Sequence, residues 1–154
     1  MSDTDFELHL VREFDAPVEL LFQMWADPDH MKHWGCPEGF QITEIRMDFR
    51  EGGAWSTNMT GLDGTTYRMR GKYLKIDTPR LISNTSQWID ERGNASDPTT
   101  ITMFFESLAN NRSRLIVHEA RFPTSAFKAS NEEGWKSSLE SLASYLATRQ
   151  DIPE

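Results

Sequence analysis

Near the end of the chain, over 131–149, the large apolar side chains fall at Trp135, Leu139, Leu142 and Leu146, offsets of 4, 7 and 11 from the first. At about 100° per residue they gather into one narrow stripe, with Ser137, Glu140, Ser141 and Ser144 turned away. The spacing predicts an amphipathic helix roughly 28 Å long at about 1.5 Å per residue, close to the diameter of a domain of this size. Upstream the period is two. Ile45, Met47 and Phe49 alternate with Arg46, Asp48 and Arg50, the pattern of a half-buried strand. Strands are predicted over 40–50, 54–60, 65–76, 80–90, 99–108 and 112–122. Asp63-Gly64, Asp77-Thr78-Pro79, Gly93-Asn94 and Asn110-Asn111 supply the turns between them. Connections this short join neighbouring antiparallel strands.

A further strand is expected over 6–14, where Phe6, Leu8 and Leu10 alternate with Glu7 and His9. Pro17 then opens a short helix, because a proline at the first helical position gives up only an N–H without an intrahelical partner. A second short helix over 28–34 ends at Gly35 and Pro37. The expected architecture is α+β: one domain over 1–154, core about 6–149, with an antiparallel sheet of about seven strands against a long C-terminal helix. Rod and sheet must bury their apolar faces on each other. A sheet this wide twists and presents a concave face, so a straight rod touches it in places and stands off in others.

Composition removes several function classes. The formal net charge of −8 over 154 residues argues against nucleic acid and anionic membrane as partners, since phosphate binding needs clustered positive charge. The longest apolar runs, such as Leu20-Leu21-Phe22, are three residues or so, far short of the roughly 20 that span a bilayer. Met1 to Asp5 is polar and acidic, unlike a secretory leader. With Cys36 as the one cysteine, an intrachain disulfide is excluded and a reducing, cytoplasmic setting is expected.

The candidate chemistry is sparse. Arg50-Glu51-Gly52-Gly53 lacks the phosphate-loop pattern and leads into no helix, so it reads as a tight bend. His30, His33 and Cys36 are three apart; steps of three on a helix turn side chains away from one another, and no fourth ligand is in view. No metal and no cofactor are expected. His118 and Glu119 are strand neighbours and point to opposite faces. Glu119 shares parity with Leu115 and Val117 and belongs on the apolar face, where burial raises a carboxyl's pKa and makes it a weak candidate general base. The alternative is pairing with an arginine, such as Arg50, Arg68 or Arg70, or a place at the rim. Glu106 has the opposite parity to Phe105 and should face solvent. By the same parity Trp55 and Met59 share one face of their strand, and Tyr67, Met69 and Tyr73 one face of the next.

Several segments carry a family resemblance: Phe14-Asp15-Ala16-Pro17, Trp34-Gly35, Pro37-Glu38-Gly39-Phe40, Asp48-Phe49-Arg50-Glu51-Gly52-Gly53-Ala54-Trp55, Asp63-Gly64, Gly71-Lys72-Tyr73, Phe122-Pro123 and Gly134-Trp135-Lys136-Ser137-Ser138-Leu139. Their order and spacing resemble the activator of heat-shock protein 90 ATPase homologue family, in its stand-alone bacterial form. That family lies within the START-like (SRPBCC, polyketide cyclase, Bet v 1-like) superfamily. The resemblance implies a helix-grip fold and a cavity between sheet and helix for apolar or aromatic small molecules. It implies no single reaction.

The expected function is binding of a hydrophobic small-molecule ligand, with Trp55, Met59, Tyr67, Met69, Trp88, Met103, Phe105, Glu119 and Trp135 lining the site. One alternative is a cyclase- or hydrolase-type enzyme with Glu119 as base and an arginine polarising a carbonyl. Another is a co-chaperone-like module stimulating a heat-shock protein 90 ATPase; the two-domain co-chaperones of the family carry a further N-terminal domain, for which a first strand at Phe6 leaves no room. Exposed sheet edges permit a homodimer.

Overall fold

The computed structural model describes residues 7–150; Phe6 and the polar leader before it lie outside them. The elements run β1 (Glu7–Phe14), α1 (Val18–Ala26), α2 (Pro28–Trp34), β2 (Phe40–Met47), β3 (Ala54–Gly61), β4 (Thr66–Asp77), β5 (Leu81–Ile89), β6 (Thr99–Leu108), β7 (Arg112–Ala120) and α3 (Ser125–Gln150). One seven-stranded sheet has the order β1-β7-β6-β5-β4-β3-β2, with every neighbouring pair antiparallel. β2 to β7 form a meander. β1 joins its far edge beside β7, pairing Leu8 with Glu119 and His9 with His118. The helices α1 and α2 therefore carry the chain from one sheet edge to the other. The result is the expected α+β helix-grip arrangement.

Turn chemistry sets the strand ends. Asp63 Oδ1 accepts the Thr65 N–H at 2.9 Å while Gly64 takes a φ of 85°, a backbone angle that a Cβ disfavours. Asn110 and Asn111 both adopt left-handed angles, 63° and 58°, which asparagine tolerates better than most residues. β2 stops at Met47, earlier than the alternation suggests, because Arg50 N–H bonds the Asp48 carbonyl and Gly53 N–H bonds the Arg50 carbonyl. Those bonds turn the chain. Phe49 then packs edge-on against Phe22 and Tyr73.

The long helix starts six residues before the predicted one, at Ser125 and not Asn131. Thr124 Oγ1 accepts the Phe127 N–H at 3.0 Å, satisfying one of the amide donors a helix start leaves open. Nothing in the apolar pattern marks this extra turn and a half, which is polar apart from Ala126, Phe127 and Ala129. Leu139, Leu142 and Leu146 are buried as expected. Ser137, expected to face solvent, instead receives the Glu38 N–H on its Oγ at 2.8 Å, because the α2–β2 loop folds over that flank.

The core lies at one end of the rod. Leu115, Val117, Leu21, Phe22, Ala16 and Leu142 have almost no exposed surface, and burying each large apolar side chain contributes about 1.5–3 kcal/mol. β7 alternates buried and half-buried along its whole length, with Ser113, Leu115, Val117 and Glu119 inward. The backbone of α3 runs closest to α2 and β1 and stands off from β2–β5.

Candidate functional site

That stand-off encloses a cavity of about 740 Å³ between the N-terminal half of α3 and the concave face of the sheet, within the size range of small-molecule sites. β3 contributes Trp55, Thr57 and Met59, β4 contributes Tyr67, Met69 and Tyr73, and β5 contributes Ile82, Asn84, Ser86 and Trp88. β6 adds Ile101 and Met103, β7 adds Glu119, and Trp135 closes the cavity from above on α3. β2 supplies Phe40, Ile42, Ile45 and Met47. Strict alternation cannot put Ile42 and Ile45 on one face. A register shift between Ile42 and Glu44 inserts one residue and reverses the parity, as a β-bulge does. All five tryptophans of the chain, Trp25, Trp34, Trp55, Trp88 and Trp135, line this space.

Gly71 makes room for one of them. It lies directly across from Trp55 in the β3–β4 register, and a Cβ there would collide with the Thr85 carbonyl and sit 2.5 Å from Trp55 Nε1. Without it, the indole crosses the neighbouring strand and donates its N–H to the Thr85 carbonyl at 3.2 Å. Lys72 N–H turns to Thr85 Oγ1 at 3.0 Å.

Glu119 is the buried ionisable group of the site, with 2% of its surface exposed. Trp135 Nε1–H donates to its Oε1 at 2.8 Å, and Thr99 Oγ1–H donates to its Oε2 at 2.6 Å. Burial pushes its carboxyl above the ordinary carboxylate range, and the two hydrogen bonds pull it partway back. None of the three candidate arginines pairs with it. Arg50 bonds Asp48, Arg68 donates to the Asp90 carbonyl, and Arg70 is exposed on the other face of β4. The expected carbonyl-polarising arginine thus has no counterpart among the described lining residues, which include neither Arg nor Lys. Burial likewise pushes the Tyr73 phenol well above its usual range, with Asp48 adding to the effect.

Of the nine residues expected to line a site, eight border the cavity: Trp55, Met59, Tyr67, Met69, Trp88, Met103, Glu119 and Trp135. Phe105 does not. It packs against Phe22 and Trp25, with ring centroids 5.1 and 5.3 Å away. Its parity is right, but it lies farther along β6, where α1 covers the sheet. Sequence reasoning missed Trp25 and Trp34, whose helices were read for their ends and not for the space they overhang. Trp34 Nε1–H donates to the Met24 carbonyl at 3.1 Å, which joins the two short helices.

The His30, His33 and Cys36 side chains diverge. His30 Nδ1 lies 2.7 Å from the Tyr145 hydroxyl, His33 stacks on the Tyr145 ring, and the Cys36 thiol donates to the Phe40 carbonyl. On the outer sheet face His9 and His118 stack at 4.5 Å, with Glu7 Oε2 3.9 and 3.7 Å from their Nε2 atoms. Among the described residues this is the one group of three donors close enough to share an ion, and the thickness of the sheet separates it from the cavity.

Residues 15–147 match the family model for Activator of Hsp90 ATPase homolog 1-like protein. A crystal structure of the AHSA1 protein from Silicibacter pomeroyi is 28% identical, covers 93% of this chain and 99% of its own, and superposes with a TM-score of 0.86. A solution structure of a protein from Arthrobacter aurescens is 26% identical over 96% of this chain and 90% of its own, with a TM-score of 0.85. A crystal structure from Nitrosomonas europaea, 22% identical over 98% of this chain and all of its own, shares the fold at a TM-score of 0.80. No curated protein matches the chain.

Proposed function

The chain belongs to the Activator of Hsp90 ATPase homolog 1-like family, and from that premise we propose that it is a small-molecule-binding protein whose cavity takes an apolar or aromatic ligand. One observation carries the reading. Helix and sheet leave about 740 Å³ unfilled, and the walls are indole, phenol, thioether and aliphatic groups. Interiors normally close-pack, so apolar volume of this size at the meeting of two layers is a feature that a ligand explains. The residues assigned to ligand contact are Trp55, Met59, Tyr67, Met69, Trp88, Met103, Glu119 and Trp135.

Because every tryptophan lines the cavity, intrinsic fluorescence reports on occupancy directly. Titration with the neutral dye N-phenyl-1-naphthylamine and a panel of aromatic and polyketide-like compounds should give saturable quenching and dye displacement at micromolar concentration. Failure of the dye and of the whole panel to bind below millimolar concentration refutes the reading.

Glu119 supports an enzymatic alternative, since a buried carboxyl of raised pKa bordering a cavity has the properties of a general acid or base. Turnover of a panel compound by the wild type but not by Glu119→Gln would establish it.

A further inference from the structure

The described ionisable groups around the cavity are all of one kind, acids with no base among them. Glu119 on the floor and Glu133 at the mouth are its acidic groups, Tyr67 and Tyr73 its phenols, and no Lys, Arg or His is among the described lining residues. A carboxylate accepts about four hydrogen bonds, and Glu119 receives two, both from neutral donors. No cation among the described lining residues offsets its charge. The aromatic wall points the same way. Trp34, Trp55 and Trp135 turn their N–H groups onto the Met24 carbonyl, the Thr85 carbonyl and Glu119. With those N–H groups taken up, these three indoles have no polar hydrogen left to give a ligand, and an aromatic π face attracts positive charge through its quadrupole.

We propose that the ligand of this cavity is an organic cation: an aromatic or alkyl skeleton carrying a positively charged nitrogen, with the nitrogen toward Glu119 and the apolar remainder along Trp55, Met59 and Trp88. The inference rests on the cavity being the ligand site, as proposed above. An anionic ligand would bring like charge against a carboxylate that has no compensating cation. A neutral ligand would leave that carboxylate as poorly compensated as before. A cation beside Glu119 offsets by attraction the cost that burial imposes on its ionised form, and aromatic neighbours add a favourable contact with positive charge. The net charge of −8 on the chain favours approach of a cation from solution.

The test compares three compounds of similar shape, (2-naphthylmethyl)trimethylammonium, its uncharged carbon isostere 2-neopentylnaphthalene, and 2-naphthylacetate, by displacement of N-phenyl-1-naphthylamine. The cation is expected to bind about tenfold tighter than the isostere, with the acetate weakest. Glu119→Gln should bring cation and isostere within about threefold of each other. That variant can keep its contacts: the new amide accepts from Trp135 through its oxygen and donates to Thr99 through its nitrogen, while the Thr99 hydroxyl turns to the Ser86 carbonyl 3.4 Å away. Circular dichroism checks that it folds. Equal wild-type affinity for cation and isostere overturns the cation assignment, leaves the cavity reading standing, and makes Glu119 a tie between α3 and the sheet. A cation preference that survives Glu119→Gln also overturns the assignment. Binding of none of the three, with no uptake of the dye, overturns the cavity reading itself.

Discussion

Trp135→Phe isolates the hydrogen bond by which Trp135 ties α3 to the cavity floor. The change removes the indole N–H that donates to Glu119 Oε1 at 2.8 Å and keeps an aromatic ring at the same place on the helix. Trp135 is half-buried and borders open space, so its truncation enlarges the cavity without creating a sealed void, and the packing loss is small. The main cost is the bond to a charged acceptor, about 1.5–3 kcal/mol. At about 2–4 °C per kcal/mol for a chain of this length, the midpoint of thermal unfolding should fall by roughly 3–12 °C. Urea unfolding followed by circular dichroism should give the same loss at unchanged m. The deficit should also depend on pH. The bond favours the ionised carboxyl, whose range burial has raised. Its loss is therefore felt most above the raised range in which folded Glu119 titrates and shrinks as acid protonates it. A cycle with Glu119→Ala should return a coupling of similar size, because either substitution removes the same bond. A loss below about 0.5 kcal/mol, additive behaviour in the cycle, or a deficit that does not change with pH would refute the reasoning.

Two glycines should respond with opposite sign. Gly71→Ala drives a Cβ into the Thr85 carbonyl and toward Trp55 and should cost several kcal/mol, about the 4 kcal/mol or more that marks exceptional substitutions, with Trp55 fluorescence altered. Gly134→Ala meets only Pro37 Cγ at 3.8 Å and should stabilise α3 by about 1 kcal/mol, read as a rise in unfolding midpoint. In alkaline titration followed at the phenolate absorbance, Tyr73 should stay protonated until the protein unfolds, because burial raises its folded pKa. The stability this contributes is complete below the ordinary phenol range and is lost as pH rises above about 10. Thr124→Ala removes the α3 cap and should cost about 1 kcal/mol, with early fraying seen by amide exchange in the first turn.

Much of the candidate site was legible because it depends on alternation. Glu119, Met103, Trp88, Met69, Tyr67, Met59 and Trp55 lie on strands whose parity is written in their neighbours, and a one-residue error in any strand would have turned its members outward. Where alternation breaks, parity stops being a guide. The bulge after Ile42 brings Ile42 and Ile45 to one face, and no local signal separates it from plain alternation. Phe105 has the correct parity and the wrong depth. Whether an inward residue meets α1 or empty space depends on which helix covers that stretch of sheet.

The chain alone determined its periods, its breaks and its charge: a helical stripe at the end, strands of period two before it, turns at Asp63-Gly64 and Asn110-Asn111, and a net charge of −8. These follow from backbone geometry acting on adjacent residues. Tertiary structure alone decided that α3 runs close to α2 and β1 and away from β2–β5. It also decided that Glu119 meets Trp135 and Thr99 and none of the candidate arginines. Such contacts join residues 16 and 20 positions apart, across elements whose relative placement is set by how a straight rod rests on a twisted sheet, and no pattern of neighbours records that angle.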